Sequence, residues 1–294
     1  FVVYGDGGQK TLGEFAGQLE KFDALVGTLT GTPTDREGAP VRVFILSSEA
    51  KVKALARRQN VAGFYNAGDR FAYAVLSKGK KDGAFDLGAE EVLFHEYAHH
   101  FMLHHFPAAY PAWYVEGFAE FFSVVNFPKD GSVEFGRIPM VRVPTLVMDS
   151  VYPLKQLLDR TTDGLGLREG DRYYGTAWLL THYMHYDKER GAQLQRYLND
   201  TGKGVPGIKP DSYFTGGVEG LEKELKAYMR RRLMASKFTP PDKIASDFAV
   251  TPVGAATSAL MEDELRLIAG VPEDQRAALA AGVRERAARF PDSA

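Results

Sequence analysis

Five of the chain's seven histidines fall between His95 and His105, in the stretch VLFHEYAHHFMLHHF. Within it, His95-Glu96-Tyr97-Ala98-His99 has the spacing H-E-x-x-H on a segment with helical character. Four helical positions turn through roughly 400°, so two such histidines lie about 40° apart on one face, one turn from each other. Their imidazoles can converge on a single ion. Glu96 stands one residue further round, where its carboxylate reaches water approaching that ion rather than the ion itself. This is the arrangement a water-activating zinc site requires. The chain has no cysteine, so thiolate sites, disulfides and a cysteine nucleophile are excluded, and any such metal must be held by His and carboxylate.

A third donor decides the type of site. His105 completes the longer spacing H-x-x-x-H-x-x-x-x-x-H of the metzincins, but the sharp turn that spacing needs calls for glycine at 102, and Met102 stands there. A continued helix carries His105 about 15 Å along the axis from His95 and roughly 120° off the face of His99. Asp171, in DRYYG, is similar to the second motif of the aspzincins, although the accompanying Gly-Thr is missing. Glu116 is the strongest candidate. It lies 17 positions after His99, in PAWYVEGFAEFF, a segment apolar nearly all round and therefore expected to be a buried helix. Glu116 and Glu120, four apart on it, are carboxylates in a buried setting and need a cation or hydrogen-bond donors. A metal facing them answers that need. Glu120 is further placed to accept the free ring N–H of a ligating histidine and fix its tautomer.

H-E-x-x-H followed at this interval by W-x-x-E-G-x-A-E resembles the gluzincin zinc metallopeptidases, and most of all the bacterial peptidase-MA-like group. The resemblance is close over residues 90–125 and looser over a tyrosine-containing helix near 173–185. It implies one zinc ion per chain held by His95, His99 and Glu116, Glu96 as general base, a peptide or protein substrate, and export to the periplasm or medium. It also implies a tyrosine about sixty residues after the third ligand, donating to the oxyanion. Tyr174 lies 58 positions after Glu116, with Tyr173 as the alternative, and small Gly175 and Ala177 beside Tyr174 are expected to leave room for substrate. The G-x-M-E-N segment of zinc aminopeptidases and the Asn-Glu-x-x-Ser-Asp signature of thermolysin-like enzymes are both missing, so exopeptidase specificity does not carry over.

The elements that must position these residues are expected to form an α+β fold. FVVYGD and VRVFILSS read as strands around a helix over TLGEFAGQLEKFDALVGTL. GFYN and RFAYAVL read as a hairpin about the turn signal AGD, with RFAYAVL as an exposed edge strand able to pair with substrate backbone. Beyond this small α/β part, helices are predicted over 88–105, 111–125, 172–187, 190–199 and 217–235, with a short hairpin at DGSVEFGRIP. The expected domains are 1–84, carrying the sheet, 85–238, the helical zinc-binding part with the cleft between the two, and 239–294, a helical hairpin whose ARFPDSA end resembles a single tetratricopeptide-type unit. His100, His104 and His105 are assigned to the surface or to capping, and His182 either lines the cleft or is a hydrogen-bonded core histidine.

With 36 basic and 38 acidic side chains in 294 residues, the chain has no global field to attract nucleic acid. No apolar run reaches the roughly eighteen residues of a spanning helix. Phe1 does not open a basic stretch leading into an apolar one, so the compartment is not read from the first residues. The alternative function is a non-catalytic zinc-containing binding or scaffold module that recruits a partner through its helical C-terminus. A zinc hydrolase acting on something other than peptides is also compatible with the motifs.

Overall fold

The computed structural model describes residues 1–6, 8–32, 40–57, 63–66, 71–77, 88–159, 164–241 and 248–292. In chain order the described elements are β1 (Val2–Gly5), α1 (Gln9–Thr30), β2 (Arg42–Leu46), α2 (Glu49–Ala56), β3 (Gly63–Asn66), β4 (Tyr73–Ser77), α3 (Ala89–His105) and α4 (Ala112–Ser123). They continue with β5 (Val133–Phe135), α5 (Val143–Asp149), α6 (Leu154–Asp159), α7 (Leu167–Tyr186), α8 (Lys188–Gly202), α9 (Gly217–Tyr228), β6 (Ser236–Phe238), α10 (Ala255–Ile268) and α11 (Glu273–Ala287). The fold is α+β, as expected. No helix among the described residues is long and apolar enough to cross a membrane.

The residues group into two compact units. The first comprises Phe1–Gly17, Ala39–Lys78 and Ser246–Ala294, and the second Gln18–Gly38 and Gly79–Ala245. The division expected after residue 84 falls within 78–87, outside the described residues, as does the AGD turn at 67–69.

The first unit is built on a four-stranded sheet of order β1-β2-β4-β3. β1, β2 and β4 run parallel, with Val43 opposite Val3 and Ala74, and β3 closes the sheet antiparallel to β4. RFAYAVL is therefore not the edge strand expected: β4 is bonded on both sides, and the edges belong to β1 and β3. Its composition fits an interior place, since every residue from Tyr73 to Ser77 is buried and a strand covered on both faces is apolar without alternation. Phe44, Leu46, Val52, Tyr73, Val75 and Leu265 form the core of this unit, with Met261 and Ile268 of α10 packed against it. α10 and α11 pair as the expected helical hairpin, tied by Arg286, which donates from Nε and Nη2 to the buried Asp263 carboxylate at 2.7 Å each.

The second unit is helical. Leu19, Phe22, Leu25 and Val26 recur at three- and four-residue spacing on α1 and are fully buried, the stripe expected of an amphipathic helix. Phe22 meets Phe94 of α3 at 4.6 Å and Phe122 of α4 at 6.5 Å between ring centroids. DGSVEFGRIP is not a self-contained hairpin. Its strand, β5, pairs antiparallel with the distant β6, and only the bridge Asn126–Glu134 is local. Residues 236–238 are thus a strand. α9 stops at Tyr228, short of the expected 235, and α5 and α6 fill a stretch where the sequence pattern showed no helix.

Candidate metal centre

α3, α4 and α7 carry the candidate site, and α4 packs on α7 more extensively than any other two elements pack together. The reason lies beside Glu116. A Cβ at Gly117 would stand 2.3 Å from Thr181 Oγ1 and 2.6 Å from the Ala177 carbonyl oxygen, so only glycine lets the two helix backbones come this close. Glu116 is thereby carried on a helix pressed against α7 while its own side chain points at α3.

There His95 and His99, one turn apart, face it. His95 Nε2 and His99 Nε2 are 3.0 Å apart, and each is 3.4 Å from Glu116 Oε2. Among the described residues these three form the one group of His, Cys, Asp or Glu able to hold a metal ion. The distances suit a metal ion. Two donors each about 2.05 Å from a tetrahedral zinc ion lie about 3.3 Å apart, close to all three sides of this triangle. The chemistry agrees: two imidazole nitrogens 3.0 Å apart, with a carboxylate oxygen 3.4 Å from both, set three ligand-type atoms around one point, where a cation could replace the protons they share. Burial opposes charge on Glu116, but hydrogen bonding with His95 and His99 outweighs it and holds its pKa at about 2. The group is ionised across the neutral range, as a ligand must be.

Around the triad the surroundings are asymmetric. His95 Nδ1 faces Glu120 Oε1 at 3.6 Å, too long for a hydrogen bond, while His99 Nδ1 is buried without a hydrogen-bond partner among the described residues. Glu120 is 3 % exposed, and its main partner is a residue that no motif marks. Arg142 donates from Nη2 to Glu120 Oε1 at 2.7 Å and from Nε to Oε2 at 3.3 Å. It also donates from Nη1 to Asp171 Oδ1 at 2.6 Å, and Thr145 donates to the other oxygen of Asp171. The signal for Arg142 was indirect: a buried carboxylate at 120 demanded a cation or donors without saying from where. Asp171, weighed above as a ligand, is consumed by this pairing and is not among the triad.

Tyr174 borders the site. Its ring stands 6.5 Å from that of His95, under the Arg142 guanidinium at 5.1 Å. Burial first, then the charges of Glu116, Glu120 and Glu96, push its phenol up to about 12 against the opposing pull of Arg142. It is therefore a protonated donor at neutral pH. Glu96 is partly buried and near enough to act electrostatically on both His95 and Tyr174. Tyr173, by contrast, is fully buried, edge-on to Tyr152 at 5.8 Å. The room expected beside Tyr174 is not provided by its small neighbours. The space at Gly175 is filled by Leu146 and by Arg142 Cβ, 3.1 and 3.2 Å from where a Cβ would sit, and Ala177 is wholly buried.

The remaining histidines lie outside the triad. His104 is exposed, His105 packs on Phe101 at 4.3 Å, and partly buried His100 stacks on His104 at 5.4 Å. His182 does not line a cleft. It is buried in the core, with Nε2 donating to the carbonyls of Met234 at 2.9 Å and Gly136 at 3.1 Å, which leaves Nδ1 to accept from the Tyr228 hydroxyl at 2.8 Å. No protein-family model matches the chain, and no curated protein matches it either.

Proposed function

We propose that this protein is a zinc-dependent hydrolase, and specifically a peptidase of gluzincin type. The observation that carries the reading is the near-equilateral triangle of His95 Nε2, His99 Nε2 and Glu116 Oε2, with sides of 3.0, 3.4 and 3.4 Å, with Glu96 on the same helix. These three atoms would hold the ion. A bound zinc ion supplies Lewis acidity, polarising a carbonyl and lowering the pKa of water. Three protein ligands, rather than the four of a closed structural site, suit catalysis.

The chain's own residues then have distinct tasks. The Glu96 carboxylate takes a proton from the water that attacks the carbonyl carbon, and gives it to the amine nitrogen as the C–N bond breaks. As charge grows on the carbonyl oxygen, the Tyr174 hydroxyl donates to it. Glu120, facing His95 Nδ1, favours the tautomer with the proton on that atom and leaves Nε2 free to ligate.

The test separates metal binding from chemistry. Glu96→Gln should retain one zinc per chain by elemental analysis, yet fail to cleave a proteome-derived peptide library that the wild type cleaves. Equal cleavage by both would remove the peptidase reading.

A further inference from the structure

Arg142 lies in none of the motifs, yet Glu120, Asp171 and Tyr174 all converge on it. Its guanidinium forks onto both oxygens of Glu120, at 2.7 and 3.3 Å, and its remaining nitrogen reaches Asp171 at 2.6 Å. Its guanidinium carbon lies over the Tyr174 ring, 5.1 Å from the centroid. Its side chain is mostly buried, and its Cβ is seated against Gly175, where a larger residue would push it away. A bidentate fork fixes the plane and direction of a carboxylate, which a point charge does not.

We propose that Arg142 is a positioning residue of the metal site, holding Glu120 toward His95 Nδ1 and Tyr174 beside the triad. The proposal rests on the zinc reading given above. The fork locks Glu120 so that Oε1 stands 3.6 Å from His95 Nδ1. Without it, the buried carboxylate loses its cation and is free to swing from His95 toward another donor. That movement alters the surroundings that set the tautomer and ring angle of His95. The contact of the same guanidinium with the Tyr174 ring, 5.1 Å from its centroid, lets one side chain orient a ligand's outer partner and the oxyanion donor together. Asp171, with Thr145, anchors the arginine from the far side.

The alternative is that Arg142 merely ties α4, α5 and α7 together, and the two roles separate experimentally. Zinc affinity, by competition with a chromophoric chelator, and the visible spectrum of the cobalt(II)-loaded full-length protein should be measured for wild type, Arg142→Met and Arg142→Lys. The metal-free unfolding midpoint of each serves as the control. Arg142→Met should bind zinc about 10- to 100-fold more weakly and show shifted cobalt bands. A purely structural role would lower the unfolding midpoint and leave the cobalt spectrum of the folded protein unmoved, which would overturn the proposal. If Arg142→Met does not fold, Arg142→Lys decides, since it keeps the charge and loses the fork: wild-type affinity and spectrum there would overturn the proposal, and weakened binding with shifted bands would support it. A wild-type protein that takes up no zinc would instead bring down the zinc reading and this inference with it.

Discussion

A single helical step separates Tyr173, with its ring edge-on to Tyr152, from Tyr174, with its ring beside His95. The two side chains should respond differently to loss of the hydroxyl. Tyr174→Phe should fold, bind zinc and lower kcat about 10²- to 10³-fold, the usual effect of removing one oxyanion donor. Steady-state kinetics on a peptide recovered from the library digest checks this, and a near-normal kcat would move the donor elsewhere. Tyr173→Phe should leave kcat within a few-fold, on the order of a change with no contact to the reacting atoms. At this scale the sequence was legible where chemistry is local. His95 and His99 meet because four residues make about one helical turn, and that relation needs no tertiary knowledge. Glu116 was legible because a carboxylate in an apolar helix demands a partner. Arg142 was not, because its partners Glu120 and Asp171 lie 22 and 29 residues away and an arginine in a short, irregular segment carries no pattern. The room attributed to Gly175 was misread for the same reason: a small residue shows that something comes close without showing whether it is ligand or protein.

Gly117 shows how an element carries the site. Its missing side chain brings α4 onto α7, and the Ala177 carbonyl that a methyl group would meet at 2.6 Å is backbone, unable to rotate aside. Gly117→Ala should cost about 1–3 kcal/mol or more through overpacking, read as a lower urea midpoint, and should weaken zinc binding because Glu116 moves with the helix. Wild-type stability and zinc content in that variant would show that the close approach is not required. The long elements α3, α4 and α7 were legible within a few residues, since each spans several turns of periodic pattern. The seven-residue α5 and six-residue α6 are too short to show a period. Strand identity was readable where strand partners were not: β4 has the composition of a strand, but its interior place depends on β2 and β3, and β5 finds β6 about a hundred residues later.

For the whole molecule, acid is the informative stress. His100, His182 and His185 are all held below the usual histidine range, by burial first and foremost, with His104 and His105 helping to bring His100 to about 4. Below about pH 6.5 these groups take up protons in the unfolded chain before they do so in the folded one, so stability falls as pH drops from about 6.5 toward 4. His95 opposes this in the metal-free protein, its neighbouring carboxylates outweighing burial to raise its pKa. Asp23 and Glu90, raised by burial, oppose it too, but with His100 brought down to about 4 the three histidines should still lower the denaturant midpoint of the metal-free protein at about pH 5 relative to about pH 7.5, and an unchanged midpoint would contradict it. Zinc should act in the opposite sense, since a ligand at a hundred times its Kd adds about 2.7 kcal/mol to folding; that gain should disappear in His99→Ala. The most direct measurement is anomalous X-ray diffraction at the zinc edge from crystals grown with zinc and washed free of excess. The expected result is a dominant peak about 2.0–2.2 Å from His95 Nε2, His99 Nε2 and a Glu116 carboxylate oxygen. A dominant peak at His100, His104 and His105, or no peak between α3 and α4, would contradict it.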